Sequence, residues 1–451
     1  MKKYTSKALL KKLGGLALCL SIATAAQAQE SLTLEQSLDM ARQNNVALRQ
    51  ARYNSTKADI NLRQNKFAYL PSITAYNDLN RVNGLTFDQV QGEVKRGNTT
   101  TSNPYIVGEL VLFDGFSKLF EMKRARQQAD ASKYTESQAE IDMEARVTGR
   151  FMQAILDREN IRIARERIAL LEQQTKRMEI LERAGTHTES DVYQLKSQVA
   201  TEKLNLITHQ NNYRKSMLEL AQEMNAGPNL NYELQAPTAP MDITAPLPAL
   251  DSVMARALVY SPKLKASQAT VAATRSGLSI ARSNLSPTLS LNGIVGSNFS
   301  TNIMQQNPET QQMQQIPYFD QLDQNQQKIV QLSLSIPVFR GFSSHFQSQV
   351  ARIDLHNAEL DYVATENTLR QAVQQAYQDV LAAQEKYNTV IANLEYTNKA
   401  YETAKRRYES GVVDFYTYLE SLNNKNKAEA ELIQSQCEFY FKQRILQLYQ
   451  G

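Results

Sequence analysis

The chain has 451 residues, with 50 Lys and Arg against 46 Asp and Glu, two Cys and no Trp. Five of the basic residues, Lys2, Lys3, Lys7, Lys11 and Lys12, precede the apolar run Leu13 to Ala26 and the triplet Ala26-Gln27-Ala28, so 1–28 reads as a secretory signal and the remainder carries 45 basic against 46 acidic residues, a net charge of −1. That balance excludes an electrostatic nucleic-acid partner; the one Cys left, Cys437, excludes an intrachain disulfide; and no later apolar run reaches the roughly 18 residues of a membrane-spanning helix, which leaves any crossing to β-strands.

Cys19 follows Leu18 rather than a small residue, so a lipid-free mature end at Gln29 is expected. From Thr33 a helical stretch puts Leu34, Leu38 and Ala41 on one face and stops at Pro71, where a donor is lost and the ring clashes with the previous turn. Two alternating stretches follow, 72–82 and 105–113, each about as long as a tilted membrane strand. The polar, Gly-, Asn- and Thr-rich residues between them read as a solvent loop. A long helical hairpin then fills 117–226, interrupted in its first arm only by Gly149 and turning at Gly185. Ile161, Ala164, Ile168, Leu171, Met178 and Leu181 keep heptad spacing in that arm, and Val192, Leu195, Val199, Leu206, Tyr213 and Leu220 answer them in the return arm. These elements make a first repeat, 29–227, closed by a linker, 228–250, that holds five of the twelve prolines and is expected to be extended.

The second repeat, 251–451, restates the first. Asn45 to Pro71 aligns without gaps onto Ser261 to Pro287, and Leu112-Phe113-Asp114-Gly115-Phe116 answers Val338-Phe339-Arg340-Gly341-Phe342. Strand-like stretches recur at 288–299 and 329–339 around a Gln- and Asn-rich loop, and a second hairpin fills 343–449. Its first arm, Ser343 to Ser410, contains no Gly or Pro and carries a coiled-coil seam of Leu355, Ala358, Tyr362, Thr365, Leu369, Ala372 and Ala376. At the helix rise such an arm is roughly 100 Å long, and it needs a partner over its whole length. The turn that follows uses Gly411 as a left-handed cap. The expected fold is therefore mainly α with membrane β, a duplicated unit of long antiparallel hairpins with four strands per chain. Four strands in lipid leave intolerable open edges, whereas three chains supply about twelve strands for a closed barrel.

The paired junctions at Leu70-Pro71 and Ser286-Pro287, Phe113-Asp114-Gly115 and Phe339-Arg340-Gly341, and the turns Arg183-Ala184-Gly185 and Glu409-Ser410-Gly411 resemble those of the TolC-like outer-membrane efflux family over nearly all of the mature chain. The resemblance implies a homotrimer: a 12-stranded barrel in the outer-membrane lipid of a Gram-negative cell, continuous with a periplasmic helical barrel. It also implies two partners, a periplasmic adaptor (membrane fusion protein) and an inner-membrane transporter of the RND or ABC type, for drug efflux, metal efflux or type I secretion. It assigns the adaptor-facing tips to Ala184, Gly185 and Thr186 and to Ser410, Gly411 and Val412. Gate candidates are Asp191, Tyr401, Arg406, Arg407, Tyr408, Asp414 and Glu420. At the second turn Thr417 stands where an Asp matches the pattern, a departure from the family that leaves Asp414 and Glu420 as the nearest candidates for an acidic constriction. The plain alternative for each charged residue is a solvated helix end.

No enzyme is expected. His187, His209, His345 and His356 are scattered, no hydrolase, zincin or P-loop pattern occurs, and no cofactor is implied. His187 beside the first turn is a pH sensor or, more simply, polar surface, and Cys437 reads as a small buried hydrophobe. The competing reading is a periplasmic coiled-coil structural or adaptor-like protein without a pore, which leaves the strands and the duplication unexplained.

Overall fold

The two halves of the chain are built from helices of equal length. In the computed structural model, which describes residues 31–88, 92–227, 232–235, 247–309 and 311–451, the first half holds α1 (Leu34–Asn44, 11 residues), α2 (Val46–Phe67, 22), α3 (Ser117–Arg183, 67) and α4 (Glu189–Met224, 36). The second half holds α5 (Leu250–Tyr260, 11), α6 (Pro262–Ser283, 22), then the short α7 (Tyr318–Gln324), α8 (Ser343–Glu409, 67) and α9 (Phe415–Gln450, 36). The duplication read from sequence is thus repeated residue for residue in the helices. The signal at 1–28 and most of the linker lie outside the described residues.

Where one helix is expected from Thr33 to Pro71, two form. Asn45 takes φ −58° and ψ 126°, its Oδ1 accepts the Leu48 amide at 3.1 Å, and its Nδ2 donates to the Glu223 carbonyl at 2.8 Å. An Asn that caps the next helix is a better partner for those orphan amides than a continued turn. Ser261, the aligned residue, does the same for α6 with Pro262 at the first helical position. Gly149, by contrast, does not interrupt α3. A Cβ there would meet the Phe441 ring at 3.2 Å, so glycine allows a close helix approach.

The chain divides into two units. One takes the described residues up to 50 together with 139–260 and 370–451. Its core joins Leu34, Leu38, Leu48, Met143, Val147, Phe151, Leu220 and Met224. There β1 (Ser31–Leu32) pairs in parallel with β4 (Glu233–Leu234), and the Arg158 guanidinium donates to the Leu234 carbonyl. Glu144, largely buried, sits between Arg42 and Arg444, so its charge is paired rather than stranded.

The other unit, 51–138 and 261–369, contains the sheet. β2 (Ser72–Asp88), β3 (Glu93–Phe113), β5 (Thr288–Gly296) and β9 (Gln327–Ser335) lie in that order, all antiparallel, with β6 (Phe299–Ser300) added to β3. The register puts Ile73, Gly108, Gly293 and Val330 in one row, and Ala75, Ile106, Val295 and Lys328 in the next. Leu110, Leu291 and Leu332 share that face, as do Leu289 and Leu334. Residues of the opposite face include the row Ser72, Glu109, Asn292 and Gln331. The apolar face is solvent-exposed in the single chain, with Ile73 at 73% and Val330 at 81%. β2 and β9 keep one edge each unpaired among the described residues.

The first two strands run further than their alternation suggests. Residues 83–88 and 93–104 continue the ladder to Asp88 opposite Glu93, helped by the β-branched run Thr99 to Thr101. Beyond an apolar layer a strand has no face to bury, so the hydrophobic period that marks it disappears. The second loop is also built up. β7 (Met304–Gln306) pairs with β8 (Met313–Gln315), and α7 folds back through Gln321, which is fully buried. Its amide exchanges hydrogen bonds with Ser300 N and O at 3.0 and 3.1 Å, and it donates to the Ile316 carbonyl at 2.8 Å. Among the described residues no helix is long and apolar enough to cross a membrane.

Candidate functional site

Both hairpin turns lie in the first unit and share one construction. Gly185 (φ 74°) and Gly411 (φ 73°) take the left-handed conformation that ends a helix without a Cβ penalty. Thr186 N donates to the Leu181 carbonyl at 3.0 Å and Val412 N to the Arg407 carbonyl at 2.8 Å, the six-to-one bond of a Schellman cap. Open space surrounds both glycines, and Ala184, Thr186, Ser410 and Val412 are exposed. The sequence therefore presents two bare turns whose shape is fixed from within.

The helices leaving the turns are capped with the same two residue types in exchanged places. Thr188 caps α4, and its amide and hydroxyl donate to Asp191 Oδ2 at 3.0 and 2.9 Å, while the Asp191 amide returns a bond to Thr188 Oγ1 at 3.3 Å. Asp414 caps α9, and Oδ1 accepts the Thr417 amide at 2.9 Å and the Thr417 hydroxyl at 2.6 Å. The Thr417 that breaks the sequence pattern is the other half of this exchange. Both carboxyls are held below the usual range. For Asp191 the causes are the Thr188 amide and hydroxyl, then His187, whose Nδ1 stands 3.7 Å away; for Asp414 they are the Thr417 hydroxyl and amide.

Behind the turns an aromatic cluster ties the two hairpins together. Tyr408 stacks on Tyr418 (5.2 Å, 15°) and meets Phe415 edge-on (5.7 Å, 62°), and Tyr401 packs on Tyr418 at 5.9 Å. The first hairpin contributes Leu171, Met178, Val192 and Leu195 to this cluster. It also contributes Arg177, whose guanidinium lies 5.8 Å above the Tyr408 ring, and Gln194, whose Oε1 accepts from the Tyr416 hydroxyl. Lys425 stands 5.1 Å above Tyr401. Burial pushes the Tyr408 hydroxyl up, an effect that Arg177 opposes and Asp191 reinforces; burial and then the Tyr401 hydroxyl push Tyr418 up further.

Of the residues singled out in the sequence, the structure draws Tyr401 and Tyr408 into this cluster and engages Asp191 and Asp414 in caps. Arg406, Arg407 and Glu420 stay on the surface, Arg406 Nε donating only to the Glu402 carbonyl of its own helix at 3.3 Å. Sequence reasoning missed Arg177, Gln194, Phe415 and Lys425. Phe415 lies four residues past Gly411, but nothing local marks a cation on the other hairpin as a partner of the tyrosines beside it. Among the described residues no three His, Cys, Asp or Glu side chains are grouped to hold a metal ion.

The sequence profile of the outer membrane efflux protein family matches residues 37–226 and again 253–449. Solved structures share the fold at low identity. A membrane protein from Pseudomonas aeruginosa is 18% identical with a TM-score of 0.75, over 94% of this chain and 91% of that one. The outer membrane protein VceC of Vibrio cholerae is 14% identical with a TM-score of 0.75, over 93% and 96%. The CmeC outer membrane channel of Campylobacter jejuni is 17% identical with a TM-score of 0.73, over 93% and 85%. No curated protein matches by sequence comparison.

Proposed function

The chain belongs to the outer membrane efflux protein family, a family of channels rather than enzymes, and from that premise we propose that it is the passive exit duct of a tripartite export system. It is an outer-membrane channel whose helices extend into the periplasm. The observation that carries the finer reading is the sheet: four strands, one exposed apolar face, and an unpaired strand edge at each side. Such a sheet has no stable place in water or lipid alone, because each open edge leaves a row of backbone groups without partners. Three copies close the edges into a barrel of about twelve strands, with the apolar face toward lipid and the Glu109 row toward the lumen.

In this reading the bare turns at Gly185 and Gly411 receive a periplasmic adaptor, and an inner-membrane transporter of the RND or ABC type supplies cargo and energy. The chain needs no cofactor. The aromatic cluster holds the second hairpin against the first and so favours a closed lower end. An adaptor opens the duct by binding the released arrangement better than the tied one, since a ligand shifts an equilibrium only by its differential affinity. Arg406, Arg407 and Glu420 remain candidates for bonds between neighbouring chains at the same level.

The test is the mass of the purified full chain together with its conductance in a planar bilayer. A three-chain particle giving small, stable steps supports the reading. A monomer or dimer that never inserts overturns it and returns the pore-free coiled-coil alternative.

A further inference from the structure

The junctions between sheet and helices carry a charge pattern that export does not require. Segments 64–71, 113–125, 278–287 and 336–348 hold six Lys and Arg: Lys66, Lys118, Lys123, Arg124, Arg282 and Arg340. Lys118 Nζ lies 6.0 Å above the Tyr69 ring; the other five are exposed, and none of the six enters an ion pair among the described residues. Only two carboxylates share these segments, and both are occupied. Asp114 accepts the Lys118 amide at 3.0 Å, and Glu121 accepts the Ser117 hydroxyl at 3.4 Å. Farther from the sheet on the same helices three cations are paired, Arg52 with Glu136, Lys133 with Asp59 and Arg275 with Glu359, while others such as Lys57, Arg63, Arg126 and Arg352 enter no ion pair among the described residues; what sets the junction apart is that its own segments hold six cations and two occupied carboxylates. Like charges gathered at one level repel one another unless an outside anion balances them.

Four phenylalanines occupy the same level. Phe113 meets Phe116 edge-on (5.3 Å, 86°), and Phe339 meets Phe342 likewise (5.5 Å, 90°). Phe116 and Phe342 hold φ of 68° and 60°, a region that bulky residues rarely adopt. Yet their rings are 59% and 65% exposed, so the unfavourable backbone turns a ring outward instead of filling the core. These rings stand where the apolar strand face ends, at Leu289 and Leu334. Aromatic rings collect at the border between hydrocarbon and headgroup, and Lys and Arg stems reach from there to phosphate.

We propose that this collar selects anionic phospholipids in the leaflet nearest the helices, the exposed phenylalanines seating in the interface and the unpaired cations meeting headgroup phosphate. The inference rests on reading the sheet as part of a membrane barrel. It is tested with the full chain in neutral detergent by native mass spectrometry, counting lipids retained from an equimolar mixture of phosphatidylglycerol and phosphatidylcholine. The wild type is expected to retain phosphatidylglycerol at least tenfold over phosphatidylcholine. Each cation removed in the K123Q/R124Q/R340Q series lowers that preference stepwise, by at most about fivefold, toward equal retention of the two lipids, following the attraction of a basic residue to an anionic surface. The K133Q/D59N pair, farther from the sheet, leaves it unchanged. Equal retention of the two lipids by a wild type that still inserts and conducts overturns this inference alone. So does equal protection against heat by inorganic phosphate. A chain that neither inserts nor conducts sinks the barrel reading and the collar with it.

Discussion

Replacing Tyr408 tests whether the aromatic cluster holds the duct closed. In Tyr408→Ala the ring loses its stack on Tyr418, its edge contact with Phe415 and the Arg177 guanidinium above it. Aromatic pairs contribute about 0.5 to 1.5 kcal/mol each beyond their area, and a partly exposed cation–π contact about 0.5 to 1 kcal/mol. The two ring pairs brace the arms of the second hairpin against each other, and only the Arg177 contact crosses to the first, so the tie between the hairpins weakens by about 0.5 to 1 kcal/mol, roughly two- to fivefold in the closed-to-open ratio of a protomer. Tyr408→Phe keeps all three ring contacts and should behave like the wild type. The assay is open probability and conductance in planar bilayers without any adaptor, where Tyr408→Ala should open roughly two- to fivefold more often than the wild type. If the Ala variant is as quiet as the wild type, or the Phe variant is as leaky as the Ala variant, the ring contacts do not hold the closure.

R406E/R407E reverses two exposed charges that enter no ion pair among the described residues, so a raised conductance would locate their bonds in a neighbouring chain, whereas unchanged conductance removes them from the gate. Gly115→Ala and Gly341→Ala both force alanine into a left-handed backbone, at about 1 kcal/mol each. At Gly115 the new Cβ would also stand 2.4 Å from Ser286 Cβ, while open space surrounds Gly341, so thermal melting should fall clearly further for the first variant. The caps predict a pH dependence. Because the folded pKa values of Asp191 and Asp414 are lowered, their contribution is complete above the ordinary carboxylate value of about 3.9 and fades as pH falls toward the lowered values. Hydrogen exchange at the first turns of α4 and α9 should accelerate only in that acid range, and Thr188→Ala should cost about 1 kcal/mol at neutral pH. Burial pushes the Cys437 thiol up to about 11, so a thiol reagent at pH 8 should label it only after denaturation.

The long helices were legible because a run such as Ser343 to Glu409 offers no breaker and keeps its seam, and the turns because Gly185 and Gly411 are the only plausible left-handed caps nearby. Capping at Asn45 escaped notice because an Asn inside a helical pattern looks like a tolerated surface residue; its role needs the Glu223 carbonyl from another part of the chain. The strand extensions escaped because alternation marks a strand only where one face is buried. At the tips, position along the chain found Tyr401 and Tyr408 but not their surroundings, since Arg177 and Gln194 come from the other repeat. The Thr417 departure is visible as a mismatch, and only the bonds of Thr188 with Asp191 and of Asp414 with Thr417 identify it as one cap shared by both repeats with its two residue types exchanged.

The equality of the helices, 67 and 36 residues in both halves, constrains how this protein can change in length. Each residue added to a helix advances it by about 1.5 Å and turns it by about 100°. A single insertion in α3 would swing every later side chain of that arm off its seam and carry the Gly185 turn past the Gly411 turn. Seven residues nearly restore the facing side but displace the tip by about 10 Å. A lineage that lengthens or shortens such a molecule must therefore move by whole heptads, in the outgoing and returning arms and in both copies together, so the two repeats act as each other's gauge.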